Sequence, residues 1–176
     1  MVGIKTAADL LTGVRFLLGP YLVWLGLCGG SEAVTVAALT LLIAWITDVL
    51  DGPLARRDAR GIHTWIGDRD LEADVTVALG VWLYLGLDRF LSIWLVVAYV
   101  LVAAAALWHF GSRHLAWGVQ ALPYGLMLWT VWRVAPPYGL LLMAWIGLVV
   151  VTTWPRFPRQ KLPEFLAGMH DLVRTR

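Results

Sequence analysis

Four aspartates, Asp48, Asp51, Asp70 and Asp74, stand out by type, spacing and setting. Asp48 and Asp51 are three residues apart, and Asp70 and Asp74 are four apart. Either spacing puts both side chains on one face of a helix. Four carboxylates gathered at one point repel unless a cation lies among them. An all-oxygen donor set suits hard ions such as Mg²⁺, Mn²⁺ or Ca²⁺ rather than Zn²⁺. Two such ions about 4 Å apart are common where phosphorus chemistry is done. All four aspartates are therefore candidate metal ligands, with two Mg²⁺ or Mn²⁺ ions as the expected cofactors. His63, His109 and His114 lack the spacing of a zinc site.

The neighbours of the first pair fit a phosphate ligand. Gly52 removes a side chain where phosphates would approach the backbone. Ala55, one turn past Asp51, keeps that face open, and Arg56 supplies a planar, permanent cation. Gly52, Ala55 and Arg56 are thus candidate phosphate-binding residues. Gly52 and Ala55 serve helix packing equally well. Asp58, Asp68 and Glu72 fall off these faces or in the connecting loop and read as solvated acids, with Asp68 near enough to stand in as a ligand.

The elements that must position these residues are membrane spans. The chain is 176 residues long, 60% hydrophobic and 15% charged, with a mean hydropathy of +0.72. Soluble domains lie nearer half apolar and a quarter charged. Six apolar segments can be drawn: 10–28, 33–47, 68–87, 90–108, 115–132 and 138–154. Their lengths approach the roughly 20 residues needed to cross the hydrocarbon core. They lack the alternation of barrel strands. Trp108, Trp117, Trp132 and Trp154 sit near run ends, as interfacial anchors do. The expected fold is an all-α integral membrane bundle of six transmembrane helices in residues 1–155. Residues 156–176 form a cytoplasmic tail, amphipathic or disordered.

Orientation follows the basic residues. If the spans alternate, Lys5, Arg56, Arg57, Arg60, Arg113, Arg156, Arg159 and Lys161 share one side, leaving Arg89 and Arg133 on the other. Both termini are then cytoplasmic. The aspartates lie at the cytoplasmic ends of spans two and three, and the short connection between these spans predicts antiparallel neighbours whose two acidic pairs converge. Ionisable residues at membrane depth are costly and usually face a cavity or a partner. No cleavable leader is evident, Cys28 has no intrachain disulfide partner, and the net charge of +2 does not argue for nucleic acid.

At these residues the sequence resembles the CDP-alcohol phosphatidyltransferases, whose signature is D-x-x-D-G-x-x-A-R followed by G-x-x-x-D-x-x-x-D. Asp48, Asp51, Gly52, Ala55 and Arg56 match the first half at every defined position, and Asp70 and Asp74 match the second pair. A looser likeness reaches span one through Asp9, Thr12, Arg15 and Pro20. One position departs: Gly67 stands three residues before Asp70 rather than four. A local kink or a shifted helix start would absorb the slip.

The resemblance implies a multi-pass cell-membrane enzyme of phospholipid biosynthesis. It would transfer a phosphatidyl or related group from a CDP-linked donor, commonly CDP-diacylglycerol, to a small alcohol, releasing CMP. Asp48, Asp51 and Asp70 would hold metal, Asp74 would be ligand or general base, and Asp48, Gly52, Ala55 and Arg56 would meet the nucleotide phosphates. Arg113 and His114 are candidate acceptor-binding residues for a phosphorylated alcohol. The resemblance also implies a homodimer, for which Trp82 and Trp94 mark unassigned apolar faces. The alternative is a cation-coupled transporter with an aspartate ion site. Against it, all four acids lie toward one end, and no span is interrupted at its centre.

Overall fold

The computed structural model describes residues 4–57, 64–155, 159 and 163–168, without the side chains of 4, 5, 31, 52–57 and 67. Among the described residues six long helices follow one another: α1 (Ile4–Cys28), α2 (Val34–Arg57), α3 (Asp70–Leu87), α4 (Ile93–Phe110), α5 (Arg113–Val134) and α6 (Pro136–Thr153). There are no strands among the described residues. Four helices are long and apolar enough to cross a membrane, over Thr6–Cys28, Val34–Asp51, Ile93–Phe110 and Pro136–Thr153. In α3 the opening turns carry Asp70, Glu72 and Asp74. In α5 the apolar character is diluted by Gln120, Pro123 and several tryptophans.

Local chemistry sets the breaks. Ser92 caps α4, its Oγ accepting from the Leu95 N–H. Gly111 ends the same helix in the left-handed conformation that a glycine adopts without strain. Pro136 and Pro137 occupy the first turn of α6, where a missing N–H costs nothing.

The packing corrects one expectation. Helices α2 and α3 touch only sparsely, and α1 packs extensively along both. Glycine explains the α1–α3 contact. A Cβ built on Gly80 would fall 2.8 Å from the Gly19 Cα, and one on Gly26 would fall 3.2 Å from the Tyr84 Cα. The two backbones approach to a distance that no larger residue allows, the small-residue packing that favours helix association in lipid. The core then fills where α1, α2, α3, α5 and α6 meet, with Leu22, Leu41, Val81, Tyr84, Met127, Val131 and Leu142 almost wholly buried.

Helix α4 stands at the margin, with Val96 its one buried residue among those described. It is held by Trp82, whose indole N–H donates to the Val96 carbonyl at 3.1 Å and whose ring lies 4.2 Å from that of Tyr99. Trp82 is 1% exposed, so it belongs to the interior and not to a docking face. Trp94, by contrast, is exposed.

The α1–α3 contact is testable. Gly80→Ala should lower the melting temperature in detergent by several degrees, because the new methyl group meets backbone. Gly147→Ala, where a Cβ meets nothing within 4 Å, should leave it unchanged or slightly higher. Equal melting temperatures for the two variants would contradict the close approach.

Candidate active site

The site is built around an arginine. Arg15 lies four residues before Gly19 on α1, in the helix that packs along both α2 and α3. Its guanidinium is 1% exposed and reaches all four aspartates. One terminal nitrogen donates to Asp48 Oδ1 at 2.9 Å and to Asp74 Oδ1. The other donates to Asp51 Oδ2, Asp70 Oδ1 and, at 3.5 Å, to Thr12 Oγ1. The two acidic pairs thus converge as their spacing requires, but through a residue of a third helix.

The lesser features of α1 have places in the same assembly. Thr12 sits one turn before Arg15 and is buried. Asp9, a further turn away, accepts from the Thr64 hydroxyl at 2.7 Å and ties the chain entering α3 to α1. The residues before Asp70 form a 3₁₀ turn, Gly67–Arg69. A 3₁₀ turn takes three residues where an α turn takes 3.6. Gly67, three residues ahead of Asp70, therefore lies one turn before it.

Three of the carboxylates form a donor set. One oxygen from each of Asp48, Asp70 and Asp74 lies within 4.8 Å of the others. Oxygens on opposite sides of a six-coordinate Mg²⁺ lie about 4 Å apart, so small side-chain rotations would close this set on an ion. Asp51 is the most buried of the four aspartates and joins through Arg15. A single guanidinium does not neutralise four carboxylates, and the surplus negative charge favours added cations. The group fits a hard divalent metal.

Two cavities border the aspartates. The larger, about 580 Å³, is lined by Asp68, Asp70, Leu71, Glu72, Asp74, Arg113 and Trp117. The smaller, about 110 Å³, lies between α2, α3 and α5 and is lined by Ala44, Trp45, Asp48, Asp74, Val77, Gln120 and Tyr124. Tyr124 donates to the Asp74 backbone carbonyl at 3.3 Å and packs edge-on against Trp45.

The remaining expected residues fall in different places. Helix α2 continues through Gly52, Ala55 and Arg56, whose side chains lie outside the described residues. Arg113 faces the acids across the larger cavity. His114 is not among the residues lining it; its ring meets Trp117 edge-on, and it abuts Gly168 so closely that no side chain would fit there. The tail expectation for 156–176 lies largely outside the described residues, although 163–168 is helical and Phe165 comes near Gly118.

Sequence reasoning missed Arg15 and Gln120 as parts of the site. Arg15 had a signal, being a lone cation inside the first apolar run at a position shared with the resemblance. Gln120 had only its polarity within an apolar helix.

Removing the bridging cation should leave the buried Asp51 and its partly exposed neighbours uncompensated. Arg15→Gln is expected to lower stability, read as a lowered melting temperature in detergent with chelator present. Added Mn²⁺ should restore part of the loss. A variant that melts like the parent in chelator would contradict the bridging role.

Comparison with known proteins bears on this arrangement. The family model for CDP-alcohol phosphatidyltransferase matches residues 5–154. No curated protein and no solved structure gave a match. The matched segment runs through every helix and all four aspartates. The chain therefore belongs to the CDP-alcohol phosphatidyltransferase family, whose members are enzymes that transfer a phosphoalcohol group from a CDP-alcohol.

Proposed function

We propose that the protein transfers a phosphatidyl group from CDP-diacylglycerol to a small alcohol, releasing CMP, as a metal-dependent enzyme of phospholipid biosynthesis. The observation that carries this reading is the convergence of Asp48, Asp70 and Asp74 to within 4.8 Å beside a cavity of about 580 Å³. That volume lies within the roughly 300–1,000 Å³ of pockets that enclose small-molecule ligands.

Asp48, Asp51, Asp70 and Asp74 would hold the metal, of which Asp48, Asp70 and Asp74 already bring one oxygen each within 4.8 Å of the others. Bound divalent ions neutralise charge on the transferring phosphoryl group and the departing nucleotide. Gly52, Ala55 and Arg56 bind the nucleotide phosphates. Arg113 supplies a further cation to substrate phosphate across the larger cavity. His114, engaged with the tail, is left out of this set. Asp74, which borders both cavities, takes the proton from the acceptor hydroxyl. The hydroxyl oxygen bonds to the β-phosphorus as the bond from that phosphorus to the bridging oxygen breaks, and CMP leaves with the electron pair.

In this reading all six helices span the cell membrane, α3 and α5 completing the four that qualify by length and composition. Both termini are cytoplasmic, and the site meets a water-soluble acceptor and a lipid donor at the same surface. The protein acts as a homodimer through α4, where Trp94, Leu101, Val102 and Trp108 are exposed.

CMP release from CDP-diacylglycerol with an alcohol present should require Mg²⁺ or Mn²⁺ and should stop on chelation. Asp74→Asn should lower turnover by about 10²-fold or more, as loss of a general base does, without loss of the folded state by circular dichroism. Full turnover in that variant would remove Asp74 from the proton-transfer step.

A further inference from the structure

We infer that the small chamber between α2, α3 and α5 is the acceptor subsite, with Gln120 as its hydrogen-bonding residue, and that it takes an alcohol bearing no phosphate. The inference rests on the transferase reading above and names the substrate class for it. Gln120 is 7% exposed, and its amide nitrogen is buried with no hydrogen-bond partner. A buried, unpaired amide donor is destabilising, so such groups mark places where a ligand or an ordered water completes the structure. Gln120 lines the chamber together with Asp48, Asp74 and Tyr124. On its other side it borders an apolar cleft formed with α3 and α4.

Size and charge select the ligand. At about 110 Å³ the chamber is a fraction of the larger cavity's 580 Å³, so the nucleotide belongs in the larger space and a molecule of few atoms in the smaller. Among the described residues lining the chamber there is no Lys, Arg or His, and two are aspartates. The nearest guanidinium, Arg15, is committed to the four carboxylates. A phosphate placed there would meet negative charge without a counter-ion, whereas a hydroxyl can both accept from Gln120 and donate to Asp74. Asp74 borders both cavities, so an alcohol in the chamber sits beside the group that removes its proton and across from the donor. Trp45 and Tyr124, packed edge-on, supply the apolar wall.

The test is a panel of acceptors with CDP-diacylglycerol and Mn²⁺, read as CMP release. Glycerol, inositol and ethanolamine form one arm; glycerol 3-phosphate and inositol 1-phosphate form the other. Release with a phosphate-free alcohol, and only background with the phosphorylated ones, is expected. Release with the phosphorylated alcohols alone would overturn the inference and leave the transferase reading standing. No release with any alcohol would count against the transferase reading itself and take the inference with it. With the active acceptor, Gln120→Leu should raise the acceptor KM by about tenfold or more, the worth of one hydrogen bond and its unpaired partner, while the donor KM stays unchanged. An unchanged acceptor KM would make Gln120 a structural amide and overturn its role. If that variant does not fold, Gln120→Asn, which keeps the amide and withdraws it by one methylene, is read the same way.

Discussion

One side chain ties the molecule together. The Arg15 guanidinium, buried within the bundle, meets carboxylates from both ends of the acidic sequence, Asp48 and Asp51 on α2 and Asp70 and Asp74 on α3. Four carboxylates cannot gather in a low-dielectric setting without a cation, and α1 carries one to the place where α2 and α3 present theirs. The glycines of α1 and α3 make this possible. Gly19 and Gly80 bring the two backbones close enough for an arginine one turn away to reach acids on both sides. Packing and electrostatics are thus one constraint: widening the α1–α3 contact would withdraw the cation, and losing the cation would leave the acids to repel.

The same arrangement explains how a charged site is kept at the end of an apolar bundle. The bridging cation holds the acids in register before substrate arrives, yet a single positive charge leaves the cluster strongly negative. One oxygen each of Asp48, Asp70 and Asp74 is placed to accept a hard metal ion, whose entry would require the Arg15 contacts to loosen. The site is then shared by two spaces of unequal size that meet at Asp74. One is roomy, polar and faced by Arg113; the other is small and edged by aromatic side chains and a buried amide.

Much of this was legible in the chain. Asp48, Asp51, Asp70 and Asp74 declared themselves by helical spacing at the ends of apolar runs, and the helix boundaries followed within a few residues from hydropathy. What was not legible was which helices touch. A short connection suggested that α2 and α3 pack together, but chain proximity is weaker than the complementarity of two glycine-bearing surfaces, and α1 packs along both while they touch only sparsely. For the same reason Trp82 looked like a candidate for an outer face and is buried against α4. The displaced Gly67 stands in a 3₁₀ turn just before α3, a change of helix type that hydropathy does not reveal. Gln120 could not be singled out because its meaning lies in an unpaired donor, a property of the folded chain alone.

The central claim is that the cluster gathered by Arg15 is a divalent-metal site. Anomalous diffraction from crystals grown with Mn²⁺ and CDP tests it most directly. Manganese density among Asp48, Asp70 and Asp74, with the Arg15 guanidinium drawn away from at least one of them, is the expected result. Arg15 still bridging all four carboxylates, with no manganese at the cluster while CDP is bound, would contradict it.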